Sequence, residues 1–334
     1  MQERRPGLDP AVAEVRRAVR ACLEGRQGAV VIALSGGADS LALAAAAAFE
    51  APRHGIRAEA VVIDHGLQEG SPVIAERAAE LARGLGLAAR VVAVDVRDAG
   101  NGPEAAAREA RYAGLARAAA ETGADAVLLG HTLDDQAETV LLGLARGSGA
   151  ASLSGMPPER RYATGPAWVR PLLGVRREVT AAACAAEGLD PWRDPHNLDP
   201  AYARVRVRET VLPTLERELG PGVAEALART AEQLREDAAA FQDMIDETIE
   251  DIVEHAEAGI SVSVAALAAN PAALRNRIIR YVVDSEFGVA LTRTQTLEVA
   301  RLATEWRGQG PIDLPGCRAR RVGGRIEIVA RAAS

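Results

Sequence analysis

The sequence contains no lysine: all 39 basic residues among its 334 are arginine. Chemistry that needs a protein amine is therefore excluded, whether a Schiff base, a pyridoxal anchor or the lysine of a Walker A loop. Cysteine is nearly as scarce. Cys22, Cys184 and Cys317 lie far apart with no Cys-x-x-Cys pair, which argues against a disulfide framework, a zinc ribbon or a sequence-evident iron–sulfur site. Long apolar runs are missing too. The stretch Leu41–Phe49 is short and alanine-rich, far below the ~20 residues that span a bilayer. Charged Met1–Pro10 lacks the apolar core of a secretion signal. A reducing cytoplasm, with no membrane partner, is the expected setting. What is present is ordinary for a soluble globular chain, at 48% hydrophobic and 25% charged residues. The length suggests two domains.

Residues 28 to about 175 alternate in character. Valine-rich apolar runs at Ala29–Leu34, Ala60–Asp64, Val91–Asp95 and Ala126–Gly130 predict strands. Helix-like stretches lie between and after them, near Ser40–Glu50, Pro72–Gly84, Pro103–Glu121 and Asp134–Ala145. Pro72 and Pro103 stand where prolines open helices. Strands joined by single helices imply parallel pairing, hence a doubly wound α/β domain with ligands at the carboxyl ends of its strands. A second, mainly helical region follows. From Pro221 to Glu257 apolar residues recur at steps of three and four, predicting one long amphipathic helix or two end to end. Eleven acidic residues face Arg229 and Arg235 there, whereas Pro271–Ser334 holds eleven arginines against six acids. That last segment reads as helices Ala272–Phe287 and Thr294–Arg307, then a strand pair, Cys317–Val322 and Arg325–Val329, turning at Gly323–Gly324. The expected division is 1–215 and 216–334.

Two stretches carry chemistry. Ser35-Gly36-Gly37-Ala38-Asp39-Ser40 joins the first strand to the first helix of the α/β domain. Its glycines allow a tight turn that aims backbone N–H groups at an anion, and the helix N-terminus adds positive charge. A carboxylate in such a loop would repel phosphate unless it held a metal ion, so Asp39 points to Mg²⁺. The second stretch is His131-Thr132-Leu133-Asp134-Asp135-Gln136-Ala137-Glu138-Thr139, after the fourth strand. Thr132 and Asp135 have capping-box spacing, so part of that acidity is structural. A histidine and paired carboxylates at a strand's carboxyl end also suit a metal–nucleotide site.

The SGGxDS loop resembles the PP-loop of the ATP pyrophosphatases, which cleave ATP between the α- and β-phosphates. Further segments narrow the likeness: Asp64-His65-Gly66-Leu67; the helix opening with Glu104, Arg108, Arg111 and Tyr112; Arg146-Gly147-Ser148-Gly149; and Leu153-Ser154-Gly155-Met156. In this order the set is similar to the tRNA(Ile)-lysidine synthetase family, strongly over residues 28 to about 215 and weakly beyond. Gln68, His196 and the pair Arg204-Val205 depart from that family's pattern, which bears on tRNA contacts and not on the nucleotide site.

The resemblance implies a ligase forming a carbon–nitrogen bond. ATP would adenylate the C2 oxygen of the wobble cytidine in a CAU-anticodon tRNA(Ile), and free L-lysine would displace AMP. It implies ATP held by Ser35, Gly36, Gly37, Ala38, Asp39 and Ser40, with Asp64 and His65 beside the adenosine. Asp39 and Asp135 would hold Mg²⁺, and Asp39, His131 and Asp135 would form the catalytic set. Arg108, Arg111, Arg204 and Arg208 are the candidate tRNA contacts. Arg204, Arg206 and Arg208 would share one face of a strand, but only Arg204 and Arg208 one face of a helix. Two alternatives remain open, a tRNA-thiolating relative and a non-catalytic nucleotide sensor, as does a homodimer.

Overall fold

A computed structural model of the protein describes residues 7–66, 70–96, 102–147, 149–194, 199–256 and 259–331. Gln68 and His196 thus lie outside the described residues. Packing separates two compact units, one up to Leu234 and one from Arg235. No helix among the described residues is long and apolar enough to cross a membrane.

The first unit begins with α1 (Pro10–Leu23), whose proline sits in the first turn and whose Asp9 carboxylate accepts from the Ala11 amide at 2.8 Å. Val12, Val15, Val19 and Leu23 form its buried stripe. Then come β1 (Ala29–Leu34), α2 (Ala38–Glu50), β2 (Arg57–Asp64), α3 (Ser71–Gly84), β3 (Ala88–Ala93), α4 (Pro103–Thr122), β4 (Ala126–Leu129) and α5 (Leu133–Ala145). All eight expected elements are present. The short α6 (Ala150–Leu153), β5 (Glu159–Arg160), β6 (Ala167–Val169) and α7 (Arg177–Ala186) follow.

The sheet order is β3-β2-β1-β4-β6-β5. β1, β2, β3, β4 and β6 pair in parallel, and two-residue β5 closes the edge antiparallel to β6. The order reverses beside β1, because the chain runs outward to β2 and β3 and then returns to β4 on the other flank. The loops after β1 and β4 therefore part around a crevice at the carboxyl ends, where doubly wound sheets bind ligands. Ala42, Ala44, Ala46 and Ala47 of α2 are buried in the main core with Leu41 and Leu43.

The unit ends with α8 (Ala203–Arg206), a π-helical turn (Val207–Val211), α9 (Leu212–Leu219) and the first part of α10 (Val223–Ile252). The expected helix to Glu257 stops earlier. β-branched Val253 begins β7 (Val253–Ala256), which pairs antiparallel with β8 (Gly259–Ser263). At 30 residues α10 is about 45 Å long.

The second unit adds α11 (Val264–Ala269), α12 (Ala272–Phe287), α13 (Arg293–Thr304), β9 (Ile312–Leu314), β10 (Cys317–Val322) and β11 (Arg325–Ala330). Its helices accompany a five-stranded sheet of order β7-β8-β11-β10-β9, of which the sequence displayed only the final hairpin. Ile260, Val262, Ile326 and Ile328 alternate inward and pack with Ile278, Ile279 and Val283 of α12.

Candidate functional site

The loop after β1 is built as its glycines require. Gly36 has φ +83°, a left-handed conformation that strains any side-chain-bearing residue, and its carbonyl accepts from the Trp192 amide at 3.0 Å. The Ser35 amide donates to Ser40 Oγ at 3.1 Å, the two hydroxyls lie 3.0 Å apart, and Ser40 Oγ donates to the Gly37 carbonyl at 3.0 Å. Gly37 caps α2 with no side-chain acceptor. The first-turn amides are thus left for an anion to meet. Gly130, at the end of β4, permits the close approach of the second loop: a Cβ there would lie 3.0 Å from the Ser40 backbone.

Across this crevice stands a network of carboxylates and guanidiniums. Thr132 and Asp135 form the expected capping box, with Asp135 Oδ2 accepting from the Thr132 amide at 2.8 Å. Oδ1 of the same residue accepts from Arg177 at 2.9 Å and from Arg208 at 3.5 Å. Arg177 also approaches Asp39 at 3.5 Å and Glu138 at 3.2 Å. Thr180 donates its hydroxyl to Asp39. Glu138 is fully buried and accepts 2.8 Å bonds from both Arg204 and Arg208. Asp134 has a different task. Its carboxylate accepts from the Arg177 amide at 2.8 Å at the start of α7.

The electrostatics divide the two proposed metal carboxylates. Burial raises the Asp39 pKa, and neither the Thr180 hydrogen bond nor Arg177 offsets it. Burial also works to raise Asp135, but Arg177, the Thr132 amide and Arg204 outweigh it and leave the group lowered. Burial lowers His131 to about 4; Arg170, Arg111 and Arg204 add to this and Asp135 does not offset it. The imidazole is therefore neutral at pH 7, and its buried Nδ1 has no partner among the described residues. A resting imidazolium that donates a proton does not fit this environment.

The arginines expected to reach RNA fall into two settings. Arg204 and Arg208 share a helical face, as expected for a helix and not for a strand, but both are committed to Glu138. Arg206 points elsewhere, donating to the Pro200 and Ala201 carbonyls. Arg108 and Arg111 flank the Tyr112 ring at 5.0 and 5.6 Å, and that ring packs against Trp168 with centroids 4.6 Å apart. Arg111 Nε is buried and unpartnered, as is Nε of the buried Arg170. Asp64 Oδ1 accepts from the Ser71 hydroxyl at 2.7 Å and the Gly66 amide at 3.0 Å, which fixes the turn after β2 carrying His65.

Sequence reasoning missed Glu138, Arg170, Arg177 and Thr180. Glu138 had a signal, since it follows Asp135 by three residues and shares its helix face. The other three come from distant segments and had none.

Comparison with known proteins follows the same outline. The family model described as a PP-loop domain matches residues 11–215, and one described as the TilS substrate binding domain matches 263–327. The chain is 60% identical over 298 residues to a tRNA(Ile)-lysidine synthase of Leifsonia xyli, covering 89% of this chain and 88% of the relative. It is 51% identical to that of Salinispora tropica, over 96% of this chain and 97% of the relative. It is 50% identical to that of Thermobifida fusca, over 97% and 99%. Among solved structures, the U34-tRNA thiolase NcsA of Methanococcus maripaludis with its [4Fe-4S] cluster shares the fold. The TM-score is 0.57 at 22% identity, over 68% of this chain and 79% of that one.

Proposed function

The chain belongs to the tRNA(Ile)-lysidine synthase family, and from that premise we propose that it joins free lysine to C2 of the wobble cytidine in a CAU-anticodon tRNA(Ile) at the expense of ATP. The observation that carries this reading is the crevice itself. An uncapped helix N-terminus behind Ser35–Ser40 faces a partly buried carboxylate–arginine network across the switch point.

In this reading the amides of Gly36–Ser40 and the hydroxyls of Ser35 and Ser40 hold the ATP phosphates. The cytosine C2 oxygen attacks the α-phosphorus, and pyrophosphate leaves. The ε-amine of lysine then attacks C2, loses a proton, and the C2–oxygen bond to AMP breaks. A poor leaving oxygen has become a good one.

Asp39 and Asp135 fit Mg²⁺ by the chemistry of the donor set. They are hard oxygens, and the ionised form of half-buried Asp39 is under-stabilised without a further cation. Among the described residues no group of three or more His, Cys, Asp or Glu could hold a metal, so phosphate oxygens and water would complete the shell. Bound there, Mg²⁺ would neutralise charge on the departing pyrophosphate. Arg177, between the two carboxylates, orients both. Neutral His131, with its free Nδ1, is suited to accept a hydrogen bond beside the reacting base. Arg108 and Arg111 are proposed to meet RNA, as are the Nη1 groups of Arg204 and Arg208, which find no partner among the described residues.

Thiolation is disfavoured by the thiols. Burial raises both Cys22 and Cys184 to about 11, so neither is a nucleophile at neutral pH. The Cys184 thiol instead donates to the Ala38 carbonyl at 3.4 Å. The direct test is AMP release on adding purified CAU-anticodon tRNA, with lysine or a sulfur donor supplied separately. AMP that follows lysine supports the proposal. Release only with a sulfur donor moves the chain to thiolation, and bound ATP without turnover makes it a sensor.

A further inference from the structure

One helix holds the Ser35–Ser40 loop from outside. Thr180 and Cys184 stand four residues apart on α7, hence on one face, and both are buried. The Cys184 thiol donates to the Ala38 carbonyl at 3.4 Å, and the Thr180 hydroxyl donates to Asp39 Oδ1. Beyond the helix, the Trp192 amide donates to the Gly36 carbonyl at 3.0 Å. Gly36, Ala38 and Asp39 are thus each tied to α7 or the segment after it, whereas Ser35 and Ser40 bond to one another.

The Thr180 contact differs in kind from the other two. Those meet backbone carbonyls and fix the path of the chain. Thr180 meets a side chain, and its bond falls on one of two carboxylate oxygens. Asp39 Oδ1 lies against the Thr180 hydroxyl, while Oδ2 stands 3.5 Å from Arg177 Nε. A charge-assisted N–H···O bond closes to about 2.7 to 2.9 Å, so Oδ2 is held loosely. Thr180 is itself fixed. It is β-branched, with few χ1 choices in a helix, and its hydroxyl lies 2.7 Å from the Arg177 carbonyl one turn back. A hydroxyl has one proton for these two acceptors, and an ionised carboxylate is the stronger of them. Thr180 has no exposed surface, so bulk water does not compete for that proton.

We propose that Thr180 is a positioning residue for the cation site: it holds Asp39 Oδ1 and leaves Oδ2, on the side of Arg177 and Asp135, to meet Mg²⁺. This rests on the reading of Asp39 as a Mg²⁺ ligand given above. A carboxylate oriented before the ion arrives loses little rotamer freedom on binding it. A hydrogen bond to its other oxygen also favours the ionised form that ligation requires. Partners of this kind set metal affinity without touching the metal, and losing one costs about 10- to 100-fold.

The test compares Thr180→Val, Thr180→Cys and Thr180→Ser in the full chain. Valine keeps the shape and removes the donor, cysteine offers a weak S–H donor, and serine restores the hydroxyl. The probe is α,β-methylene-ATP, which cannot be cleaved between its α- and β-phosphates, titrated calorimetrically in Mg²⁺ and again in EDTA. Thr180→Val should lower affinity in Mg²⁺ about tenfold or more and leave it unchanged in EDTA. Thr180→Cys should fall between, and Thr180→Ser should stay close to wild type. Adenylation by the valine variant should need about tenfold more Mg²⁺ for half-maximal rate. If the valine variant does not fold, the cysteine and serine variants carry the same comparison. Equal losses in Mg²⁺ and EDTA would make Thr180 a prop for the whole loop and overturn the proposal. So would a serine variant as weak as the valine or cysteine one. Mg²⁺-dependent binding that is unchanged in every variant would overturn the role of Thr180 alone. Wild-type affinity that is the same in Mg²⁺ and EDTA would overturn the Mg²⁺ reading of Asp39 together with it.

Discussion

Arg177 Nη2 donates to Asp135 Oδ1 across 2.9 Å, tying the start of α7 to the first turn of α5. That guanidinium also approaches Asp39 and Glu138, so one side chain links the Ser35–Ser40 loop to Asp135 and Glu138 of α5. A lattice of alternating charge, buried at Asp135 and Glu138 and part-exposed at its arginines, ties the crevice walls together, and its members depend on one another.

Glu138 sits at the centre of this lattice and is fully buried, bonded to Arg177, Arg204 and Arg208. Glu138→Gln keeps its shape but leaves three guanidiniums without their shared counter-charge. Removing one partner from a buried ionic cluster costs about 3 kcal/mol or more. Urea denaturation should show a fall of that order. A loss under about 0.5 kcal/mol would mean that water or the neighbouring acids compensate, and that the lattice is not structural.

Asp39 carries the opposite signature. Its pKa is raised, chiefly by burial, so the native state holds that proton more tightly than the unfolded chain does. The ionised group therefore lowers stability at neutral pH, and this effect disappears as pH falls below the ordinary carboxylate range. Asp39→Asn should raise the melting temperature at pH 7 and leave it little changed near pH 3. Adenylation should fall about a hundredfold or more, equivalent to ~3 kcal/mol of barrier. Higher stability with lower turnover is the outcome that marks a functional carboxylate. Normal pyrophosphate release by the folded variant would remove Asp39 from the reaction.

His131 makes a prediction with its own sign. Burial first, then the arginines around it, depress its pKa to about 4. Between the ordinary value near 6.5 and about 4, the unfolded chain takes up a proton that the native imidazole refuses. Native stability should therefore decline as pH falls through that window, and His131→Asn should reduce the decline. A side-chain NMR titration is the direct check. Resonances that stay those of a neutral ring down to about pH 5 fit the structure, whereas a midpoint near 6.5 contradicts it.

Much of this fold was visible in the sequence because alternation of valine-rich runs with alanine-rich helices is a local pattern. The loop at Ser35–Ser40 and the capping box at Thr132–Asp135 were legible for the same reason. β7, β8 and β9 were not. Val253–Ala256 follows a helical stripe without a break in polarity, and it becomes a strand because β8 pairs with it. The commitment of Arg204 and Arg208 was equally hidden. Their partner Glu138 lies more than sixty residues earlier, and only the folded chain brings them together. Arg177 and Thr180 reach Asp39 across a still longer separation.

The absence of lysine gives the last prediction its clarity. No protein side chain can supply the amine, so any lysine found in the RNA product must have entered free from solution. That amine has an ordinary pKa near ~10.4 and arrives protonated, so it must lose a proton before attacking C2. Burial depresses His131 to about 4, and Arg177, the Thr132 amide and Arg204 hold Asp135 below its ordinary value, so neither is a strong base for that proton. Supplying labelled lysine with ATP and a CAU-anticodon tRNA should place the label in the RNA. Ornithine, one methylene shorter, should label it far less, because the amine would fall short of C2. Equal labelling by the two amines would mean that reach is not fixed by a pocket. Discharge of the adenylated RNA by simple amines such as methylamine, at rates similar to lysine, would remove the amine site from the protein altogether.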